Sequence, residues 1–383
     1  MRDVAIIGVG QTPVGEHWGS SLRMLAADAV RAAFADAGRQ QVDALYVGNA
    51  YGASFSSQQH LGALIADYIG LSGIEAYTVE AAEASGGAAL RTGYLAVASG
   101  ALDAVLVVGV EKSSDTLASA RVHARNTTLD ADYEATHGAT LPALAALLMR
   151  RYMHEHQAGL EAFEGFSINA HANAKSNENA MFRNTLKPGT FAKVGMVADP
   201  VTLFDGALDA DGAAALVLTA GERAADMVPQ PVRITGSAVA TDTLTLHDRA
   251  DLLYLKAAHL SANKVYFQAG ITPGDVDLFE LHDAFTVLAA LTLEAAGFAE
   301  RGQGWKLAQE GAIGLNGSLP ISTFGGLKAR GNPVGATGVY QAVEACLQLR
   351  GEAGANQVPE ARTALIQNMG GLGSSAVTHV LQL

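Results

Sequence analysis

The chain repeats one order of elements, and this internal repeat constrains its fold more than any other feature. In the first half, a glycine turn at 85–87 opens an alanine-rich helix, which leads into an apolar strand at 104–109. In the second half, a glycine turn at 335–338 opens another helix, which leads into an apolar strand at 364–367. Strands that are apolar along their whole length are typical of a sheet covered by helices on both faces. The repeat therefore predicts an α/β protein built from two βαβ-rich halves related by duplication.

A second, shorter repeat agrees with this division. A predicted helix at 22–37 ends before Gly38 and precedes a strand at 42–47, and the same order of elements returns at 266–280. We therefore expect an N-terminal half at 1–220 and a C-terminal half at 221–383.

A segment at about 113–200 interrupts the pattern of the first half. It is richer in polar residues, His and Asn than the flanking sequence, and helices are predicted at 141–156 and 160–177. We interpret it as an inserted loop domain. It is either a lid over a site or an insertion used for packing or dimer contact.

Composition and charge limit the classes of function. The formal net charge of −13 argues against a nonspecific binder of nucleic acid, because such a protein needs a basic surface. The apolar runs are much shorter than a membrane span, and the first residues show a strand pattern rather than a cationic leader. We expect a globular cytoplasmic protein that binds neither nucleic acid nor membrane.

Cys346 is the single cysteine, which excludes an intrachain disulfide and a cysteine-rich metal site. It lies in a helical pattern without a neighbouring histidine, which favours a packed core thiol over a nucleophile. We expect no metal site.

The two glycine turns also indicate where a site could form. Each precedes a helix, and the unpaired N–H groups of a helix N-terminus stabilise negative charge. If the halves are related by a pseudo-twofold axis, the two helix ends meet. Such a junction suits an activated carbonyl.

Six motifs occur in order over nearly the whole chain, and the longest is the most specific. They are V-E-A-A-E-A-S-G-G at 79–87, G-V-E-K at 109–112, A-D-P at 198–200, D-G-A-A-A at 211–215, H-D-A-F at 282–285 and G-G-L-K-A-R-G-N-P-V-G-A-T-G at 325–338. Together they resemble the thiolase superfamily, especially the sterol-carrier-protein type and the archaeal type. The resemblance implies a five-layer αβαβα fold, a homodimer, and a coenzyme A thioester as substrate or ligand without a permanently bound cofactor. Because archaeal relatives resemble members of larger complexes, it also implies a zinc-ribbon and OB-fold companion as a candidate partner.

The residues that the resemblance assigns to thiolase chemistry are largely replaced. Glu83 stands where the family has its nucleophilic cysteine, and Asn332 stands where a histidine activates that cysteine. The stretch 367–371 lacks the second cysteine of many thiolases, and Ala284 occupies a place where the sterol-carrier type can carry one. Glutamate cannot form the acyl thioester, and asparagine is not a base near neutral pH. The resemblance therefore predicts that ordinary thiolase activity is absent.

His282 and the glycine-rich backbone survive at family positions, and Asn332 can keep a donor role where the family has a histidine. His282 and Asn332 match donors of an oxyanion hole, which holds the thioester oxygen as charge develops. The glycine-rich backbone expected to bind substrate comprises Gly325, Gly326, Gly370 and Gly371. Tyr340, near the helix start that follows Asn332, is a candidate proton donor, with interior packing as the alternative.

Two functions stay open at this point. In the first, the protein makes or breaks a carbon–carbon bond of a CoA thioester through an enolate, without a covalent acyl-cysteine, and Glu83 moves the proton. That role needs a pKa raised toward neutrality by burial, whereas a helix N-terminus lowers it. In the second, the protein is a noncatalytic acyl-CoA-binding scaffold or partner subunit, and Glu83 fills the former acylation pocket.

Overall fold

The computed structural model describes residues 1–383, in which strands and helices alternate along the chain. The strands are β1 (Val4–Gln11), β2 (Ala44–Gly48), β3 (Glu75–Val79), β4 (Ala104–Glu111), β5 (Met196–Ala198), β6 (Val201–Thr202), β7 (Gly212–Ala220), β8 (Val232–Thr241), β9 (Leu278–Glu280), β10 (Thr363–Gly370) and β11 (Ser375–Gln382). The α-helices are α1 (Leu22–Ala37), α2 (Gly52–Phe55), α3 (Leu61–Tyr68), α4 (Ser85–Ala98), α5 (Ala118–Asn126), α6 (Leu141–His156), α7 (Glu164–Ala174), α8 (Gly221–Ala224), α9 (Lys256–Ala269), α10 (Thr286–Ala295), α11 (Gly304–Gln309) and α12 (Thr337–Leu349). No helix combines the length and the apolar character needed to cross a membrane.

The sheet shows the duplication directly. Nine strands are ordered β3-β2-β4-β7-β1-β8-β11-β10-β9. Outward from the centre of the first half, β1 pairs antiparallel with β7, β7 pairs antiparallel with β4, and β4 pairs parallel with β2. The second half repeats this series: β8 pairs antiparallel with β11, β11 pairs antiparallel with β10, and β10 pairs parallel with β9. Only two residue pairs join β1 to β8, so the sheet consists of two half-sheets that meet at the centre, and the predicted duplication is confirmed.

Helices divide the two half-sheets into five layers, αβαβα, as the resemblance implied. α4 and α12 lie together between the half-sheets, α1 and α3 cover the first half-sheet from outside, and α9 and α10 cover the second. Successive side chains of a strand point to opposite faces, so β4 buries Val105 and Val107 in the central core and Leu106 and Val108 in the outer one. Burial on both faces is why these strands are apolar throughout.

The N-terminal ends of α4 and α12 touch, and glycine makes this contact feasible. A Cβ on Gly338 would lie 2.2 Å from the backbone nitrogen of Gly87, and one on Gly86 would lie 2.9 Å from the carbonyl oxygen of Gly335. No side chain fits at such distances. The predicted meeting of the two helix ends is confirmed.

The outer edges of the half-sheets differ. β3 is the edge strand of the first half and has no counterpart in the second. There, the backbone N–H of Phe279 in β9 donates to the carbonyl of Pro320 at 2.9 Å, so an irregular segment covers that edge. The β3 edge stays unpaired within the chain.

The segment at about 113–200 contains α5, α6, α7 and β5. The helix predicted at 141–156 is α6, whereas the single helix predicted at 160–177 is a short 3-10 turn at Leu160–Phe163 followed by α7. α5 packs on α2, and α6 packs on α10. α5 ends beside the turn that leads into α4, because Arg125 on α5 pairs with Glu83 in that turn.

Candidate active site

Glu83 lies in the turn before α4, and its buried carboxylate is held by three groups from distant parts of the chain. The backbone N–H of Gly371 donates to Oε2 at 2.6 Å, and the Tyr51 hydroxyl donates to Oε1 at 3.0 Å. The Arg125 guanidinium nitrogen Nη2 lies 3.2 Å from Oε1. Glu83 is only 2% exposed, so these contacts replace water around its charge.

Arg125 links Glu83 to the chain that precedes α12. Its Nη1 is paired with the carboxylate of Asp209. Asp209 lies beside Asn332 in a β-bridge, and the Asn332 N–H donates to the carbonyl of Leu208 at 3.1 Å. One guanidinium therefore connects the position before α4 with the position before α12.

Two opposing effects set the protonation of Glu83. Burial is the largest single influence and by itself raises the pKa. The Arg125 charge, the backbone N–H groups of Gly371 and Glu83, and His282 act the other way, and the net result is a pKa below the usual 4.5. Glu83 is therefore ionised at neutral pH. While Arg125 is in contact with Glu83, the raised pKa that the first hypothesis requires is not present.

The protonation state of His282 follows from its neighbour Asn368. The Oδ1 of Asn368 accepts the N–H of Gly87 at 3.1 Å, which leaves Nδ2 to donate to His282 Nδ1 at 3.2 Å. Because Nδ1 accepts, the ring proton is on Nε2. Burial lowers the pKa of His282 to about 4, so the ring is neutral. Its buried Nε2–H has no partner in the protein and is a free donor.

Asn332 offers a second donor. Its Oδ1 accepts the Thr337 hydroxyl at 2.8 Å, which fixes the amide with its Nδ2 group available for donation. Asn332 precedes α12 and Thr337 is its first residue, and both are buried. The donor role that the resemblance assigned to Asn332 thus agrees with its contacts.

The four glycines expected at the site fall into two groups. Gly371 contacts Glu83 directly, and a Cβ on Gly370 would lie 2.8 Å from the carbonyl of Ala81 in the turn before α4. Gly325 and Gly326 have left-handed φ values of 109° and 54°. A Cβ on Gly325 would strike α7, and one on Gly326 would lie 2.4 Å from the Asp283 carboxylate, so both are needed for packing as well. Their part in substrate binding stays a prediction.

Tyr340 makes no contact with Glu83, and its hydroxyl forms hydrogen bonds in the protein interior. It donates to the carbonyl of Thr12 at 2.9 Å, and the Arg330 guanidinium lies 5.1 Å from the centre of its ring. Burial raises its pKa above the usual 10. These contacts support the packing alternative, and the proton-donor role stays a prediction. Cys346 is also fully buried, with a pKa raised to about 12, as expected of a core thiol.

A cavity of about 490 Å³ adjoins this cluster. α5, the start of α6 and the segment around β6 form its walls. Arg125 and Asp209 line it, and so does Phe285, three residues after His282. Glu83 does not line the cavity, whereas Arg125, which contacts Glu83, does. α5 and the start of α6 in the inserted segment thus form part of the cavity wall, and the lid role of the segment stays a prediction.

Sequence reasoning missed Tyr51 and Arg125. Tyr51 is placed by Glu111, whose carboxylate accepts the N–H groups of Ala50 at 2.9 Å, Tyr51 at 3.3 Å and Gly335 at 3.2 Å. Burial raises the pKa of Glu111 to about 7 despite these bonds. Glu111 belongs to the G-V-E-K motif, which was a usable signal for the Tyr51 loop. Nothing in the sequence around Arg125 indicates its role.

The fold and the cluster together define a duplicated α/β protein with a site at the junction of its two central helices. Residues 4–222 match the family model for the thiolase N-terminal domain, and residues 238–383 match that for the thiolase C-terminal domain-like family. The chain belongs to the thiolase superfamily.

Known relatives cover almost the whole chain. An acetyl-CoA acetyltransferase of Methanothermobacter thermautotrophicus is 42% identical over 382 residues, which is 99% of each chain. The benzoylsuccinyl-CoA thiolase subunit BbsB of Thauera aromatica is 30% identical over 377 residues, or 97% of this chain and 95% of the relative. A solved structure titled Ltp2-ChsH2(DUF35) aldolase superposes with a TM-score of 0.87 at 26% identity, covering 99% of this chain and 97% of the other.

Proposed function

We propose that the protein makes or breaks a carbon–carbon bond of a CoA thioester through an enolate, without a covalent acyl-cysteine. The observation that supports this most directly is the free, buried Nε2–H of neutral His282. Fixed donors of this kind stabilise the thioester oxygen, on which negative charge collects in an enolate. Asn332 supplies the second donor through Nδ2.

In this proposal Glu83, at the family's nucleophile position, carries the proton. Arg125 is the largest influence that lowers its pKa, and a thioester that reaches Glu83 displaces Arg125 from it. Burial then acts with less opposition and raises the pKa toward neutrality, where a carboxylate serves as a base. With a 3-hydroxyacyl thioester, Glu83 accepts the hydroxyl proton as the Cα–Cβ bond breaks to give a carbonyl compound and the enolate of the remaining thioester. Glu83 then returns the proton to the enolate carbon, so no net proton is consumed.

The relatives support a CoA thioester as the ligand. Their names include an acetyl-CoA acetyltransferase and a benzoylsuccinyl-CoA thiolase subunit. We propose that the backbone around Gly370 and Gly371, together with Gly325 and Gly326, receives the thioester, and that no other cofactor is bound permanently.

Turnover of a panel of CoA thioesters tests this function. Purified protein is incubated with 3-oxoacyl-, 3-hydroxyacyl- and malonyl-type CoA, and products are identified by mass spectrometry. We expect His282→Ala to lower turnover by about 10²–10³, the usual cost of one oxyanion donor. His154→Ala, at an exposed position of α6, is the matched control and should leave turnover unchanged. An acylated protein in the intact mass spectrum would contradict the noncovalent mechanism.

A noncatalytic role is our second proposal, and the occupied Glu83 carboxylate favours it. Gly371, Tyr51 and Arg125 together close the position that a substrate must reach. The protein would then bind acyl-CoA as a scaffold or as the partner subunit of a thiolase-type complex. The aldolase structure includes a DUF35 protein by its title, which supports a zinc-ribbon and OB-fold companion here. Calorimetric binding of acyl-CoA without turnover, alone or with a copurified companion, would favour this role.

We further propose that the protein is a cytoplasmic homodimer. The β3 edge is unpaired within the chain, and Tyr77 on that strand is 44% exposed, so a second copy could extend the sheet there. Light scattering of the purified protein measures its mass directly, and a monomer would contradict the dimer.

A further inference from the structure

Asn368 joins three elements at the place where the two halves of the chain meet. It lies in β10, is fully buried, and its amide contacts both Gly87 in α4 and His282 after β9. Gly338 in the first turn of α12 leaves room for this side chain, because a Cβ there would lie 2.4 Å from Asn368 Oδ1. The amide is therefore enclosed between both central helices and the ring of His282.

The two ends of this amide have opposite hydrogen-bonding roles. A backbone N–H can only donate, so Gly87 requires the oxygen of Asn368 and directs its nitrogen to His282 Nδ1 at 3.2 Å. A neutral imidazole has one ring proton, and the bond made by one ring nitrogen determines which nitrogen carries that proton. Asn368 thus keeps Nδ1 as an acceptor and leaves on Nε2 the proton that an enolate oxygen needs.

A second amide fixes the separation of the two side chains. Gln341 of α12 donates from Nε2 to the carbonyls of Leu281 at 2.9 Å and Gln367 at 3.3 Å. These two residues directly precede His282 and Asn368. One buried group therefore holds the backbone on both sides of the contact, and the contact is built into the fold.

Aspartate and alanine at this position would change the ring in different ways. Aspartate has the size of asparagine but only accepts hydrogen bonds when ionised, so it would draw the His282 proton to Nδ1. Nε2 would then present a lone pair to the substrate, which repels an oxygen that gains negative charge. Alanine makes neither bond and leaves both tautomers of the ring open.

We infer that Asn368 is a positioning residue, which holds His282 in the tautomer that donates from Nε2. It acts through His282 and needs no contact with the substrate. The inference rests on the proposed function, since this donor matters to catalysis only if an enolate oxygen forms against it.

Nitrogen NMR of the histidine rings tests the tautomer directly. Full-length protein with labelled histidine is measured at pH 8, where an aspartate is ionised and protonated and unprotonated ring nitrogens have well-separated shifts. The signals of His282 are those missing from His282→Gln. We expect the proton on Nε2 in the wild type and on Nδ1 in Asn368→Asp. A wild-type proton on Nδ1, or one that stays on Nε2 in Asn368→Asp, overturns the inference.

Turnover by the same variants measures the consequence for catalysis, with the thioester of the panel that the wild type converts fastest. Loss of one oxyanion donor lowers kcat by about 10²–10³, so we expect this loss in Asn368→Asp, with little change in KM. Asn368→Ala should lose less, although it removes more of the side chain. A merely structural role predicts the reverse order, because alanine leaves a cavity and aspartate does not. The reverse order therefore overturns the inference.

Asn263→Asp is the matched control. Asn263 donates to Nε2 of His259 at 2.8 Å, so it is also an asparagine in contact with a histidine, but it is exposed on α9. Its turnover should equal that of the wild type. If Asn368→Asp does not fold, Asn368→Ala still decides: a mixture of both His282 tautomers supports the inference, and a proton on Nε2 alone overturns it.

The spectrum and the turnover assay separate this inference from the proposed function. The expected tautomers, without turnover of any thioester of the panel by the wild type, support the hold of Asn368 on His282 and refute the proposed reaction. Wild-type turnover that Asn368→Asp leaves unchanged refutes the positioning role and leaves the proposed reaction standing.

Discussion

The substitution Glu83→Gln tests whether the charge of Glu83, rather than its shape, holds the closed site together. Glutamine has nearly the same size and can still accept the N–H of Gly371. It presents a neutral amide to Arg125, which is then left with Asp209 as its single carboxylate partner. The variant thus removes one charge and leaves the packing intact.

The expected cost follows from the bonds that are lost. A hydrogen bond to a charged group contributes about 1.5–3 kcal/mol net to stability. Loss of the Tyr51 hydrogen bond to Glu83 costs less than this, because the Tyr51 hydroxyl has Thr128 Oγ1 at 3.4 Å as an alternative acceptor. Arg125 is 15% exposed, so water compensates part of its loss. We therefore expect the free energy of unfolding to fall by about 2–3 kcal/mol at pH 7.

The dependence on pH gives the sharper test. The folded-state pKa of Glu83 is below the usual 4.5, so its contribution is fully present above that pH and is lost as the pH falls below it. The difference in stability between wild type and Glu83→Gln should therefore stay constant from pH 7 to about 5 and shrink below about 4.5.

Urea unfolding followed by circular dichroism at a series of pH values measures this difference. Glu178→Gln is the matched control, because Glu178 is exposed and makes no ion pair. Its effect should be within about 0.5 kcal/mol of zero. The reasoning would be refuted if Glu83→Gln lowered the free energy of unfolding no more than this control does. It would also be refuted if the loss of stability in Glu83→Gln stayed undiminished in acid.

Two further substitutions test the interior. Arg330→Met should lower the free energy of unfolding by about 3–5 kcal/mol, because it leaves the buried Glu344 carboxylate without its partner. Urea titration should show that the double variant with Glu344→Leu recovers most of this lost stability. Gly338→Ala should destabilise the fold by about 1–3 kcal/mol or more, since its Cβ would lie 2.2 Å from the Gly87 nitrogen. Gly15→Ala, with nothing within 4 Å, is its control, and equal melting temperatures of the two variants would contradict the helix contact.

The sequence predicted only part of the candidate site. The resemblance of the motifs to the thiolase superfamily pointed to Glu83, His282 and Asn332 as candidate site residues. They could not identify Arg125, which reaches Glu83 from the inserted segment after a long excursion of the chain. Tyr340 was placed correctly on α12, but the direction of its hydroxyl depends on Thr12, directly after β1, which it meets only in the folded protein.

The sequence by itself determined the architecture. Apolar strands, glycine turns and their repetition are local patterns, and local patterns dictate which faces are buried and which helix ends can approach. The tertiary structure alone decided the chemistry of Glu83. Its charge depends on the balance between burial and the donors Arg125, Gly371 and Tyr51, and these come from separate parts of the chain. Electrostatic effects on a buried carboxylate are set by distances in space, which no sequence pattern records.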